Sequence, residues 1–253
     1  AISTTPDTVP SGIYISALRD KPLAGDFEFE LQGNENAFQT GITALSKIAP
    51  VTLGIGAKQS AQALTGTQNA EVYVFDGPCP AGNVGVQINN IAPLAKNETV
   101  WTVDPTAVVF FGRLFLTGKV DLRRTIAIAG SQVTEPAYTE VLVGTPLADI
   151  LANRLAKTEH VRIIDGNPLI GHISDLHGYL GAHTSEVTVI PEGDDTHEMF
   201  GWIMPRTKDF STSRSYFSWL QGKKREYDLD ARVKGGERHI IMRNNCETWR
   251  SLW

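Results

Sequence analysis

Val100-Trp-Thr-Val-Asp-Pro-Thr-Ala-Val-Val-Phe-Phe-Gly-Arg-Leu-Phe-Leu-Thr-Gly118 changes character after its fourth residue. The first four residues are all β-branched or aromatic, which predicts a short strand. Asp104 and Pro105 then open a helix. Aspartate accepts a hydrogen bond from an otherwise orphan first-turn N–H, and proline at the first helical position gives up an N–H that had no partner. The apolar run from Ala107 to Leu116 is interrupted by Arg113 and falls short of the roughly 18–20 residues that span a bilayer. It is read as a buried helix, and no transmembrane segment is expected.

The same strand-then-helix alternation extends upstream. Gly12-Ile-Tyr-Ile-Ser-Ala-Leu18, Pro50-Val-Thr-Leu-Gly-Ile55 and Ala70-Glu-Val-Tyr-Val-Phe75 read as strands. Between them, Phe38, Ile42, Leu45 and Ile48 recur at helical spacing, and a short helix falls around residues 61–64. A helix after the Gly-rich turn covers residues 82–94. Strands alternating with helices require crossover connections and a mostly parallel sheet. Residues 1–118 are therefore expected to form a Rossmann-like α/β domain.

Beyond Gly118 the pattern becomes α+β. Thr125-Ile-Ala-Ile-Ala-Gly130 and Ala137-Tyr-Thr-Glu-Val-Leu142 flank a turn-rich segment, as in a hairpin. Thr145 is expected to cap a helix with Pro146 at its first position and Asp149 in its first turn. Strands follow at residues 160–164 and 186–190. Residues 119–195 are thus expected to form a β-grasp domain. Residues 196–253 would be a C-terminal extension containing one strand-like piece, Met199-Phe-Gly-Trp-Ile-Met204.

Composition bounds the function. The 253 residues are 42% hydrophobic and 20% charged, with a net charge of −5, which is ordinary for a globular protein. The acidic balance and the lack of a concentrated Lys/Arg face argue against nucleic acid as a partner. Cys79 and Cys246 have no CxxC spacing, so neither zinc nor a disulfide framework is suggested, and a reduced cytoplasmic compartment fits. The opening Ala1-Ile-Ser-Thr-Thr-Pro6 reads as a linker, so the chain is expected to be a piece of a longer one.

Several candidate sites follow from motifs. Gly54-Ile-Gly-Ala-Lys-Gln-Ser60 is the nearest approach to a dinucleotide fingerprint, with Gly54 and Lys58 as candidate phosphate contacts. It lacks the third glycine and the acidic residue that such a site uses. Asp76-Gly-Pro-Cys-Pro-Ala-Gly82 lies where ligands bind in open α/β sheets, making Asp76, Gly77, Cys79 and Gly82 candidate ligand-binding residues. The competing reading is a rigid strand-to-helix turn built from two prolines and two glycines. His172, His177 and His183 cluster around Asp175, but at spacings that do not converge on one helix face, so no metal site is expected. No catalytic residue is nominated. Arg206, Arg214, Trp202 and Phe210 mix arginine with aromatics, as interface hot spots do. The nearby Lys223-Lys-Arg225 could face an anionic surface.

Val74-Phe-Asp-Gly-Pro-Cys-Pro-Ala-Gly82 with Gly85 resembles the signature of the NqrA family, one of the components of the sodium-translocating NADH:quinone reductase. Gly112-Arg-Leu-Phe-Leu-Thr-Gly118, Arg124-Thr-Ile-Ala-Ile-Ala-Gly130, Phe200-Gly-Trp-Ile-Met-Pro205 and Phe210-Ser-Thr-Ser-Arg214 resemble the same family in order and spacing. The sequence departs from the family at Cys79, usually His, and at Gln87-Ile-Asn-Asn90, where aromatic and His residues are expected. The resemblance implies a chain lacking the family's amino-terminal and carboxy-terminal domains. It implies a Rossmann-like domain, then a β-grasp of the kind that binds soluble ligands (SLBB). It further implies a peripheral subunit on the cytoplasmic face of a bacterial inner membrane, docked on membrane-embedded partners. Quinone would be a possible ligand, and NADH, FAD, FMN and the iron–sulfur centre would sit on other subunits. Two alternatives stay open, a free-standing binder of a small ligand through the β-grasp and a flavin-binding α/β protein.

Overall fold

A computed structural model of the chain describes residues 7–194, 205–210, 216–221, 227, 230 and 231. The first sheet is wholly parallel, in the order β3-β2-β1-β4, built from β1 (Ile13–Ser16), β2 (Val51–Gly56), β3 (Glu71–Phe75) and β4 (Trp101–Val103). Ile13 pairs with Val51 on one side and with Trp101 on the other. The helices between these strands are α1 (Phe27–Leu31), α2 (Glu35–Leu45), α3 (Gln62–Thr65), α4 (Val84–Ile91) and α5 (Pro105–Thr117). Ile13, Ile15, Leu53 and Ile55 point to one face of the sheet and bury against Phe38, Ile42 and Val108.

The α2–α5 contact is a glycine seam. A Cβ on Gly112 would lie 1.7 Å from the Ala37 carbonyl oxygen, and one on Gly41 would lie 2.2 Å from that of Val108. Only residues without side chains let the two backbones approach this closely.

The capping logic at α5 holds. Asp104 Oδ1 accepts the Thr106 N–H at 2.9 Å, Pro105 occupies the first turn, and Gly118 closes the helix in the left-handed region at φ 70°. The expected burial of α5 needs correction. Val108 and Val109 are buried, but Phe111, Leu114, Leu116 and Phe115, the last 66% exposed, face outward. A helix lying on a sheet covers only the stripe that faces the sheet.

The second sheet is mixed, in the order β6-β5-β9-β7-β8. Its strands are β5 (Arg123–Ala129), β6 (Ala137–Leu142), β7 (Val161–Asp165), β8 (His172–Ser174) and β9 (Glu186–Pro191). β5 and β6 form the expected antiparallel hairpin, and β9 runs parallel to β5. α6 (Leu147–Leu151) buries Leu147, Ile150 and Leu151 against Ile126, Ile128 and Val187. This is the β-grasp arrangement. The cap assigned to Thr145 is wrong: α6 starts one residue later, after Pro146, and Thr145 Oγ1 donates instead to the Leu142 carbonyl at 2.7 Å. α1 and β8 are elements the sequence reading did not contain. The strand expected at residues 199–204 lies outside the described residues.

Among the described residues, Tyr138, Arg113 and Arg124 reach from one unit to the other. The Tyr138 hydroxyl of β6 accepts the Asp26 N–H at 2.8 Å, and its ring stacks on Phe29 of α1 at 4.2 Å between centroids. Arg113 of α5 donates to Asn34 Oδ1 at 2.8 Å and to the Arg123 carbonyl at 2.6 Å. Arg124 of β5 is 2% exposed and bridges the Ala182 carbonyl and Thr106 Oγ1, at 2.9 and 3.5 Å.

Candidate functional site

In the parallel sheet the chain moves from β1 outward to β2 and β3, then returns to place β4 on the opposite side of β1. The step from β1 to β2 and the step from β3 to β4 thus lead to opposite sides of β1, and such a reversal of strand order opens a crevice at the carboxyl ends of the strands. A cavity of about 350 Å³ lies there, closed on its other side by the β-grasp. This volume falls in the range of small-ligand pockets, roughly 300–1,000 Å³.

The β1 loop supplies Arg19, Asp20 and Lys21, and the cap of α5 supplies Asp104. From the β-grasp come Asp165 at the end of β7, Asn167 in the turn that follows, and Glu186 at the start of β9. Asn167 is rigidly held. Its Oδ1 accepts the N–H groups of Leu169 and Ile170 at 3.0 and 3.1 Å, and its Nδ2 donates to Glu186 Oε1 at 3.1 Å. Glu186 also accepts a short hydrogen bond from the Ser185 hydroxyl. Asp165 is less satisfied. Its Oδ2 accepts the Gly181 N–H at 3.2 Å, whereas its buried Oδ1 has no hydrogen-bond partner.

Arg19 links the cavity wall to a buried polar network. It pairs with Glu30 of α1, donates to Thr106 Oγ1 at 3.1 Å and lies over the Phe27 ring at 5.4 Å. Burial opposes the Arg19 charge, but the adjoining Glu30 carboxylate outweighs it and holds the guanidinium above its ordinary value. Burial likewise pushes Glu30 up, against the attraction of Arg19. Arg124 is pulled down by burial despite Asp104 and Glu30 nearby. These charges persist in a dry environment because each has opposite charge or a hydroxyl in reach.

Of the six ligand-binding residues nominated from motifs, Gly82 lines the cavity. Its N–H donates to Asp20 Oδ2 at 2.8 Å and its carbonyl accepts from Ser16 Oγ at 2.9 Å. A Cβ there would meet the Leu18 carbonyl oxygen at 2.5 Å, so the glycine is what lets this loop close on the β1 loop. Gly54 lies inside β2, where a Cβ would fall 2.2 Å from Gln87 Oε1 of α4. Lys58 is exposed beyond β2, Asp76 and Gly77 are exposed after β3, and Cys79 is half-buried in the same loop. These five are not brought to the cavity.

Arg206 forms an ion pair with Asp209 at 3.3 Å and lies over the Tyr216 ring, while Phe210 meets Tyr227 edge-on at 5.5 Å. Trp202 and Arg214 lie outside the described residues. His172 and His183 both line the cavity, but His177 does not. Among the described residues no group of three or more His, Cys, Asp or Glu could hold a metal ion, and no helix is long and apolar enough to cross a membrane.

Sequence reasoning missed Arg19, Glu30, Thr106, Asp165, Asn167 and Glu186. The signal on offer was a charge embedded in an apolar run, as with Glu30 in Phe27-Glu-Phe-Glu-Leu31, because such a charge is rarely buried without a partner.

Fold and site together define a two-domain protein in which a Rossmann-like sheet and a β-grasp close on a polar cavity. Residues 1–120 match the family model described as the NqrA second alpha/beta domain, and residues 125–175 match the one described as the NQRA C-terminal domain. The chain belongs to the NqrA family. It is similar to the NqrA component of the Na(+)-translocating NADH-quinone reductase of Neisseria meningitidis serogroup B, 32% identical over 237 residues, covering 93% of this chain and 52% of that one. The same component from Haemophilus influenzae is 34% identical, with 91% and 52% covered, and that from Yersinia pestis is 33% identical, with 96% and 54% covered. The chain thus spans about half the length of these curated relatives. A solved structure of an NAD+-reducing [NiFe]-hydrogenase in the H2-reduced state superposes with a TM-score of 0.50 at 13% identity. It covers 73% of this chain and 41% of that one, a likeness of fold alone.

Proposed function

We propose that this chain acts as part of a peripheral subunit of a sodium-translocating NADH:quinone reductase, on the cytoplasmic face of the membrane. It would serve as a docking and quinone-site-supporting element rather than a catalyst in its own right. The observation that carries the reading is the match of residues 1–120 and 125–175, in order, to two NqrA domains. The NADH, flavins and iron–sulfur centre of the reaction are assigned in this reading to other subunits. Docking is assigned to the segment around Arg206 and Phe210, where Phe217, Leu220 and Trp219, the last 61% exposed, present apolar surface.

Quinone fits the interdomain cavity poorly. Its neutral ring gains little from the charged groups there, and only Leu18, Ala24 and Ile170 are apolar side chains among the lining residues. In this reading the chain supports a neighbour's quinone site by contact, not by holding quinone in that cavity.

The test is a pull-down of the tagged chain from detergent-solubilised membranes of its own source, with absorbance checked for pigment. Membrane subunits of the reductase are expected with the tagged chain, and Trp219→Ser should reduce their recovery. Recovery of no membrane subunit, or stoichiometric flavin on the isolated chain, would overturn the proposal. The cavity favours a second reading, in which the β-grasp and the α/β domain together bind a small soluble ligand.

A further inference from the structure

β3 is an edge strand. In the order β3-β2-β1-β4 it has β2 on one side and, among the described residues, no strand on the other. Successive residues of a strand turn their N–H and C=O groups to opposite sides. The Phe75 carbonyl accepts the N–H of Ala57, just past the end of β2, at 3.0 Å. Glu71, Tyr73 and Phe75 therefore bond to β2, whereas Val72 and Val74 turn their backbone groups outward.

A row of outward N–H and C=O groups is a template for another strand, and folded proteins blunt such edges with short strands, lysine, proline or a bulge. The edges at β4 and β8 have only three residues each. β3 has five, Glu71-Val-Tyr-Val-Phe75, with neither lysine nor proline among them. Val74 is 63% exposed and Tyr73 39%, so apolar surface accompanies the open backbone.

We infer that β3 pairs with β3 of a second copy of this chain, antiparallel about a two-fold axis at Tyr73. In that register Val72 of each copy stands opposite Val74 of the other. Each such pair exchanges both of its backbone hydrogen bonds, and Tyr73 faces its own counterpart at the non-hydrogen-bonded position between them. Glu71 then faces Phe75, not another carboxylate, so no like charges meet. The charges favour a copy of this chain over an arbitrary strand. Lys58, exposed, follows the Ala57 that bonds to Phe75. At ~4.8 Å per strand, Glu71 of the second copy lies about 10 Å across the sheet from that end of β2, within the joint reach of a lysine and a glutamate. The contact is isologous, so the ion pair forms twice. Five residues a side bury less than a standard interface of about 1,600 Å², which makes the dimer concentration-dependent.

The test is sedimentation equilibrium of the full chain up to millimolar concentration, with amide exchange at both ends of the range. Twice the mass of one chain is expected at the top. The Val72 and Val74 amides should slow there, while Tyr73, bonded to β2, is protected throughout. Val74→Pro removes one outward N–H and no bond to β2, a place where an edge strand tolerates proline. It should weaken association at least tenfold and leave the unfolding temperature near that of the parent chain. Lys58→Glu and Glu71→Lys, both at exposed positions, each set like charges across the pair. At low ionic strength, where exposed charges are least screened, each alone should weaken association severalfold, and an equimolar mixture of the two should associate more tightly than either. The mass of one chain at every concentration, a mixture no tighter than its components, or Val72 and Val74 amides equally protected at both concentrations would overturn the inference. None of these outcomes bears on the pull-down from membranes, so the subunit reading stands or falls separately.

Discussion

Arg19→Met tests whether the buried pair between α1 and the cavity wall governs stability. The Glu30 side chain is 4% exposed and that of Arg19 13%. Removing the guanidinium leaves a carboxylate in a dry site with Arg124 as a more distant cation. Breaking one side of a buried pair typically costs about 3–5 kcal/mol, which for a chain of this size corresponds to roughly 10 °C in unfolding temperature. The loss has a signed pH dependence. Burial already raises Glu30, and losing Arg19 raises it further. A group whose folded-state value is raised favours folding below its unfolded value and loses that contribution as pH rises through the folded one. The destabilisation of Arg19→Met should therefore be full at neutral pH and shrink as pH falls toward the ordinary glutamate range. Replacing both partners, Arg19→Met with Glu30→Leu, should recover much of the loss. Urea unfolding from pH 4.5 to 8 reads all three variants. A deficit independent of pH, or a double variant whose loss equals the sum of the two single ones, would refute the reasoning.

Gly112→Ala forces a methyl group to within 1.7 Å of the Ala37 carbonyl oxygen, so α2 and α5 must separate, at a cost of about 1–3 kcal/mol or more in thermal unfolding. Gly130→Ala combines φ of 121° with a Cβ 2.1 Å from the Val189 carbonyl oxygen. It should destabilise the β5–β9 pairing and speed amide exchange in those strands before it affects the parallel sheet. Hydrogen bonds from the Arg123 side chain and backbone hold Asp121 down to about 2. Its contribution is present above the ordinary aspartate value and lost as pH falls through 2. Because the pair is largely exposed, Asp121→Asn should cost below about 1 kcal/mol at pH 7, a difference that vanishes in acid unfolding curves near pH 2.

The local elements were legible where the chemistry is local. Asp104 and Pro105 specify the start of α5 through φ restriction and one side-chain acceptor, and both act in the structure as the sequence indicates. Thr145 misled because a hydroxyl beside a turn has a second use, donating back to Leu142. β8 has three residues and α1 five, too few to show a period. β8 exists because β7 completes its hydrogen bonds, and α1 because Phe27 and Leu31 bury in the core of the parallel sheet.

The amino-acid sequence alone determined the alternation of strands and helices, the shift from parallel to mixed sheet and the family, because each rests on spacing or motif within tens of residues. Only tertiary structure decided the site. Arg19 meets Thr106 across 87 positions and Arg124 meets the Ala182 carbonyl across 58. Nothing in either local stretch encodes the other. The sequence pointed to the loop after β3, at the carboxyl end of a strand, whereas the cavity opens beside β1 and β4, where the order of strands reverses. Strand order depends on how the crossovers pack and so is fixed only when the sheet assembles.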